Sequence, residues 1–225
     1  MITDYTKQSE LINVNEFNMP IHIIGCGALG SWLTFFLAKM GFKNITVYDF
    51  DTVEEHNLPN QMFMEKNIGE LKVDALQSIL PLYCDDADNR VRYITCRVTS
   101  DIVKDFEGIV FSCVDSMKVR KKLYEACVKE GKADLWIEGR IGLFGAYVYT
   151  INYNTPMMCE AYEKTLYDDE EAEVSACGVS QTALPAAVNC ASEMLMQMIS
   201  WYRGNDVVNE VMYQLPDMLS ITTRW

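Results

Sequence analysis

The sequence lacks three things that would assign it to common protein classes: closely spaced cysteine pairs, long apolar runs and an excess of basic residues. Its eight cysteines are scattered with no CxxC spacing, so we expect no zinc site. No uninterrupted apolar stretch approaches the ~18 residues of a membrane-spanning helix. Lys and Arg total 19 against 32 Asp and Glu, a net charge of −13. This balance argues against nucleic-acid or membrane partners, and the scattered cysteines suggest reduced thiols in the cytoplasm.

The composition is that of one globular α/β domain. The chain has 225 residues, of which 49% are hydrophobic and 23% charged, enough for a well-buried core. Residues 1–18 are polar, and we expect a loosely packed N-terminal arm there. Residues 19–225 are expected to form a single domain. Within it, residues 154–176 read as a long crossover loop, and loops of that length are usually functional or mobile.

The stretch "IHIIGCGALGSW", residues 21–32, predicts a nucleotide-binding turn. A short apolar strand runs into a Gly-rich hexapeptide, an apolar helix follows, and "NITVYDFD" predicts a second strand. This order is a βαβ unit with parallel strands. Gly27 would let the backbone approach a phosphate, and Gly30 would let the helix pack closely on the strand. The start of the helix would then offer its free N–H groups to the anion.

The rest of the chain predicts a mixed sheet. Strands are indicated by "VRYITCRV", by "EGIVFSCVDS" and by a Gly-linked pair within "ADLWIEGRIGLFGAYVYTIN". A long small-residue helix leads to Gly204, and a terminal strand pair follows. The predicted fold class is therefore α/β: a Rossmann-like βαβ half continues into a mixed sheet with flanking helices in a single domain.

The glycine turn alone fits either a dinucleotide or a triphosphate. Asp49 and Asp51 are both candidates for binding ribose hydroxyls. The polar residues that follow favour a triphosphate, because an oxidoreductase has no need of Asn57 or Lys72 at these positions. Lys72 begins a helix and can reach phosphate oxygens as a point charge. An NAD-dependent oxidoreductase is the less favoured alternative.

Five stretches, in order, resemble the superfamily of ThiF, MoeB and ubiquitin-activating adenylating enzymes. They are "IIGCGALGSW", "VYDFDTVEEHNLPNQ", "NIGELKVDAL", "CVDSMKVRKKL" and "CGVSQTALPAAVNCASEML". The resemblance covers about residues 19–225. It implies ATP-dependent adenylation of the C-terminal glycine carboxylate of a small ubiquitin-like or sulfur-carrier protein, with release of pyrophosphate. ATP and Mg²⁺ are the implied cofactors, and a homodimer is the implied assembly.

The resemblance implies roles for individual residues in the first half of the chain. Gly25, Gly27 and Gly30 would form the turn beneath the nucleotide. Asp51 would bind the ribose hydroxyls, and Asn57 would contact the nucleotide.

Further roles follow for residues later in the matching stretches. Gln61 and Lys72 would meet the phosphates, and Asp115 would hold the Mg²⁺. Cys177 matches a position where some members carry a cysteine used in thioester or persulfide chemistry. Arg120 matches an arginine that we interpret as structural or dimer-supporting.

The sequence departs from the family pattern at Asn60. The family has an arginine immediately before Gln61, and that arginine meets the phosphates. Arg140 is a hypothetical replacement for the lost charge. The departure supports an alternative function, a non-catalytic pseudo-enzyme that binds a carrier or a second activating subunit. The two zinc-binding CxxC pairs of many bacterial members are also missing here.

Overall fold

The computed structural model describes residues 3–152, 155–167 and 181–225, and these build one eight-stranded mixed sheet. The spatial order is β3-β2-β1-β4-β5-β6-β7-β8. The strands are β1 (Ile21–Ile24), β2 (Ile45–Asp49), β3 (Val91–Thr95), β4 (Glu107–Ser112), β5 (Lys132–Ile141), β6 (Gly145–Ile151), β7 (Glu210–Gln214) and β8 (Leu219–Thr223).

The sheet is parallel in its N-terminal half and antiparallel in its C-terminal half. Strands β3, β2, β1, β4 and β5 run parallel, and the pairs β5–β6, β6–β7 and β7–β8 are antiparallel. The central strands are largely apolar, as in "GIVF" of β4, which is expected where helices cover both faces of a sheet. The predicted fold class, with its βαβ half and terminal strand pair, is confirmed.

Helices cover both faces of the sheet and divide the core into two layers. They are α1 (Gly30–Met40), α2 (Lys72–Ile79), α3 (Ser100–Val103), α4 (Met117–Tyr124), α5 (Pro156–Glu163) and α6 (Leu184–Tyr202). Apolar residues of α1, α2 and α6 pack on one face, and those of α3, α4 and α5 pack on the other. None of the helices in the described residues is both long enough and apolar enough to cross a membrane.

The chain before β1 packs against the domain, so the expectation of a loosely packed arm is wrong for its last residues. Ile12, Val14 and Phe17 are buried in the same core layer as α1. The Phe17 ring lies 5.0 Å from that of Phe42 and 4.7 Å from that of Tyr202. The polar residues between these apolar positions face solvent, and they make the whole segment polar on average, although three of its side chains are buried.

The connection predicted as one long loop contains a helix. Helix α5 spans Pro156–Glu163 and buries Tyr162, with proline near its first turn. Eight residues give only two helical turns, too few for a clear periodic pattern in the sequence. Residues 153–154 and 168–180, including the acidic tract Asp168–Glu173, lie outside the described residues.

We expect Phe17→Ala to lower the free energy of unfolding by about 3–5 kcal/mol, because it empties a fully buried aromatic site. Leu11→Ala is the matched control, since Leu11 is 36% exposed. Urea unfolding followed by circular dichroism measures both variants. Equal and small effects of the two substitutions would contradict the packing described above.

Candidate nucleotide site

Two glycines shape the turn between β1 and α1. Gly25 has φ +96°, and a Cβ there would lie 2.7 Å from the carbonyl oxygen of Cys113. A Cβ on Gly30 would lie 1.8 Å from the carbonyl oxygen of Gly25. No side chain fits at either position, so the turn is specific to glycine at both. At Gly27 the nearest atom to a Cβ would be Nε2 of Gln61, 3.9 Å away, which leaves room for a ligand.

The turn presents unpaired N–H groups at the start of α1. Within the described part of the chain, the backbone N–H groups of residues 27–30 have no hydrogen-bond acceptor. They are followed by an eleven-residue helix whose dipole adds partial positive charge at this end. Free N–H groups and a helix N-terminus together make an anion-binding site, as a nucleotide phosphate requires.

Asp49 organises this site from beneath and is only 7% exposed. Its Oδ2 accepts a hydrogen bond from the Cys26 N–H at 2.5 Å, and its Oδ1 accepts one from the Asp51 N–H at 2.8 Å. One carboxylate therefore ties the glycine turn to the segment after β2. Sequence reasoning took Asp49 as a ribose candidate. Its alternation with the inward-facing Ile45 and Val47 was the signal of a buried role.

Asp51 and Lys72 lie side by side above this carboxylate. The Asp51 side chain is 51% exposed, and its Oδ2 is 3.4 Å from Lys72 Nζ. The Lys72 side chain is 11% exposed, and the Lys72 N–H donates to the Asp51 carbonyl at 2.9 Å. The structure thus brings together the residues predicted for the ribose and for the phosphates, although they are 21 positions apart.

Asn57 and Gln61 follow on the same connection. Asn57 is buried, and its Oδ1 accepts from the Glu54 N–H at 2.9 Å, which leaves the Asn57 amide nitrogen to donate elsewhere. The Gln61 N–H donates to the Asn57 carbonyl at 3.0 Å. The side-chain oxygen of Gln61 is buried and has no partner in the described residues. The side-chain amides of Asn57 and Gln61 can therefore still form hydrogen bonds with a ligand at this site.

Asn60 has a structural role that the sequence did not reveal. Its side-chain nitrogen donates to the carbonyl oxygen of Thr182, at 3.3 Å, and to the Thr182 hydroxyl. Its carbonyl accepts from the indole N–H of Trp32 at 3.0 Å. Asn60 therefore tethers the residues just before α6 to α1 and brings no charge to the site.

Asp115 lies in the bend between β4 and α4, with its side chain exposed. The described residues contain no group of three or more His, Cys, Asp or Glu that could hold a metal. A lone carboxylate nevertheless suits Mg²⁺, which is commonly bound by one or two carboxylates while substrate phosphates and water complete the shell. The residues present therefore fit Mg²⁺ delivered with a nucleotide, and not a preformed cage.

Arg140 does not replace the arginine missing at position 60. Its Nη1 and Nη2 donate to the carbonyl and hydroxyl of Thr165 at 2.8 and 3.0 Å, and its Nε donates to Glu138. A Cβ on the preceding Gly139 would point at Leu29, so the side chain of Arg140 projects from the opposite face of the sheet. The hypothesis is wrong because Arg140 and Asn60 lie on different sides of β5.

The predicted nucleophile, Cys177, lies outside the described residues. Three other cysteines, at positions 26, 113 and 190, have thiols whose pKa is raised by burial, which disfavours the reactive thiolate. Burial raises the pKa of Cys26 and Cys190 well above the usual range, and it raises the pKa of Cys113 to about 12. These cysteines behave as small core hydrophobes, as the sequence predicted.

We expect Asp49→Asn to destabilise the protein by about 1–3 kcal/mol, because the amide offers one acceptor where two buried N–H groups need one each. Asp51→Asn is the control, since it removes only a half-exposed ion pair worth about 0–1 kcal/mol. Urea unfolding at neutral pH measures both. Equal losses in the two variants would contradict the role assigned to Asp49.

Solved structures share this fold at low sequence identity. One described as PaaA superposes with a TM-score of 0.72 over 98% of this chain and 72% of its own, at 16% identity. Escherichia coli MccB with ATP superposes with a TM-score of 0.70 over 92% of this chain and 64% of its own, at 17% identity. The same fold therefore holds ATP in another protein.

Curated relatives match about half of the chain. Molybdopterin-synthase adenylyltransferase of Escherichia coli is 28% identical over 54% of this chain and 52% of its own length. Adenylyltransferase and sulfurtransferase uba4 of Emericella nidulans is 32% identical over 49% and 23%. Ubiquitin-like modifier-activating enzyme 5 of Dictyostelium discoideum is 26% identical over 56% and 36%. The matches thus span about half of the relatives' length or less.

A model of the ThiF family matches residues 15–222, nearly the whole chain. The glycine turn, the paired Asp51 and Lys72, and the Asp115 bend all fall within this match. The chain belongs to the ThiF family.

Proposed function

We propose that this protein is an ATP-dependent adenylating enzyme that acts on the C-terminal glycine carboxylate of a small ubiquitin-like or sulfur-carrier protein. The observation that carries the proposal is the placement of Lys72 and Asp51 beside a glycine turn with free N–H groups, joined to it through Asp49. The names of the relatives support an adenylyltransferase.

The reaction needs positioning and charge neutralisation more than proton transfer. A carboxylate is ionised at neutral pH, so it attacks the α-phosphorus of ATP without a general base. A bond forms between a carboxylate oxygen and the α-phosphorus, and the bond from that phosphorus to the bridging oxygen breaks. Pyrophosphate leaves with that oxygen, and an acyl-adenylate remains.

Each part of the site has a task in this reaction. The N–H groups of the glycine turn and the Lys72 ammonium bind phosphate oxygens and neutralise developing charge. Asp51 orients the ribose, and Asn57 and Gln61 donate to the nucleotide. Asp115 would hold Mg²⁺, which neutralises phosphate charge when it is bound.

The loss of positive charge at Asn60 favours the second candidate function, a pseudo-enzyme that binds a partner without turnover. The adenylating enzyme and the pseudo-enzyme differ in whether bound ATP is turned over. A working enzyme exchanges pyrophosphate with ATP in the presence of its carrier, whereas a pseudo-enzyme binds nucleotide without pyrophosphate exchange.

We expect wild-type protein to bind ATP more tightly with Mg²⁺ than without it, in calorimetric titrations with NAD⁺ as the control ligand. Asp115→Ala should remove most of the Mg²⁺ dependence. Lys72→Ala should weaken binding by about tenfold or more, because it deletes a charge-assisted contact to phosphate worth about 1.5–3 kcal/mol.

Lys66→Ala is the matched control for Lys72→Ala. Lys66 is an exposed lysine on the same connection, and we expect its loss to leave ATP affinity unchanged. Binding of NAD⁺ in place of ATP would contradict the proposal. Binding of neither would contradict a working enzyme formed by this chain alone, and would support a pseudo-enzyme or a site that a partner completes.

We further propose that the Cys177 thiolate attacks the carbonyl carbon of the acyl-adenylate, so that a thioester to the carrier forms and AMP leaves. In the persulfide variant of this step, a separate persulfide donor first transfers its outer sulfur to Cys177, and that sulfur attacks the same carbon with release of AMP. We also propose that the protein works as a cytoplasmic homodimer. This role is assigned to Cys177 because it matches a position where some family members carry a cysteine used in thioester or persulfide chemistry. Cys26 and Cys190 are buried and Cys113 is half-buried, and burial raises the pKa of all three thiols, so they are unsuited to this step.

We expect wild-type protein incubated with ATP, Mg²⁺ and a synthetic peptide ending in Gly-Gly to gain the mass of the peptide minus water. Intact-mass spectrometry without reductant detects the adduct, and dithiothreitol should remove it. Cys177→Ala should form no adduct while retaining ATP affinity, and Cys127→Ala is the buried-thiol control. An adduct that persists in Cys177→Ala would contradict this role.

A further inference from the structure

A buried carboxylate, Glu138 of β5, lies on the face of the sheet opposite α1 and is 0% exposed. Its immediate neighbours in the strand, Ile137 and Gly139, are not charged. A carboxylate removed from water in this way is strongly unfavourable unless several donors satisfy it. The side chains that contact the Glu138 carboxylate indicate its role.

Three side chains converge on Glu138. Arg120 forms an ion pair with Glu138, with its Nε 3.1 Å from Oε1 but without hydrogen-bond geometry, and the Arg140 Nε donates to the same oxygen. The Tyr162 hydroxyl donates to Oε2. Burial, followed by the charge of Glu138, raises the pKa of Tyr162 well above its usual range, so the phenol stays protonated as a donor.

Arg120 links Glu138 to the bend that carries Asp115. The side chain of Arg120 is 4% exposed, and its Nη2 donates to the carbonyl oxygen of Val114 at 2.5 Å. Val114 immediately precedes Asp115. The guanidinium is therefore fixed on one side by Glu138 and holds the backbone next to Asp115 on the other.

Two more links connect Glu138 to α5 and to the residues after it. Tyr162 belongs to the last turn of α5, and Arg140 reaches Thr165 through both of its terminal nitrogens. The Thr165 hydroxyl also donates to the Tyr162 carbonyl at 2.7 Å. The same carboxylate thus holds the end of α5 and the Asp115 bend in one network.

We propose that Glu138 is a positioning residue that holds Asp115 for Mg²⁺-nucleotide binding, acting through Arg120 and braced by Tyr162. The proposal rests on the proposed function, because it assigns Asp115 to the metal. It goes further because it assigns the positioning of that carboxylate to Glu138, Arg120 and Tyr162, on the face of the sheet opposite α1. Groups that orient metal ligands from behind affect metal affinity by about 10–100-fold.

The test compares ATP affinity in Mg²⁺ with ATP affinity in EDTA, by calorimetry. In Glu138→Gln the isosteric amide loses the charge that fixes Arg120. We expect its dissociation constant for ATP to rise about tenfold with Mg²⁺ and to stay unchanged in EDTA. Tyr162→Phe removes one hydrogen bond to Glu138, and its dissociation constant for ATP with Mg²⁺ should rise by less than that of Glu138→Gln. This milder variant keeps the test available if Glu138→Gln does not fold.

Tyr124→Phe is the matched control. Tyr124 is also fully buried, its ring lies 4.5 Å from that of Tyr162, and its hydroxyl approaches Glu163 rather than Glu138. We expect it to lower the melting temperature about as much as Tyr162→Phe while leaving both ATP affinities unchanged.

Three results would overturn the inference. Equal weakening with Mg²⁺ and in EDTA would show a general structural effect. No weakening in Glu138→Gln or Tyr162→Phe would show that Asp115 does not depend on the network. A wild-type chain with no Mg²⁺-dependent ATP binding would overturn the proposed function as well, and this separates the two failures.

Discussion

The close contact between Gly30 and the carbonyl oxygen of Gly25 is the constraint on which the site depends. Because Gly30 carries no Cβ, α1 can start directly against the end of β1. The backbone N–H groups of residues 27–30, at the start of α1, have no acceptor among the described residues. Asp49 then bonds to the turn and to the segment after β2. Helix α1, the glycine turn and Asp51 thereby form one rigid unit, to which Lys72 is added through its backbone bond to Asp51.

The parts that the sequence predicted well are those with local signatures. The βαβ unit and the need for glycine at positions 25 and 30 lie in short stretches whose pattern and motif spacing carry the information. The terminal strands β7 and β8 were also predicted from a local signature, the alternation of side chains along each strand. The packing of Phe17 depends instead on Tyr202, 185 positions away, and no local pattern reports a contact at that distance.

Arg140 shows the same limit at the site. Its position at the end of a strand predicted proximity to the nucleotide, but the alternation of side chains sends it to the other face, where it stacks 4.3 Å above the Tyr149 ring. Asn60 was interpreted by what it lacks, a positive charge. Its hydrogen bonds to Thr182 join segments 122 residues apart, and only the fold brings them together.

The two faces of the sheet differ in how their charged groups are paired. On the α1 face, cationic character comes from backbone N–H groups, a helix dipole and Lys72, all placed for a ligand that brings its own negative charge. On the α4–α5 face, Glu138 is satisfied by two arginines and a tyrosine within the protein. An arginine at position 60 would add charge to the first face but lose the uncharged tether to Thr182. In the function proposed above, Asn60 leaves phosphate neutralisation to depend more heavily on Lys72 and on Mg²⁺. It would therefore depend on how firmly the Asp115 bend is held from the second face.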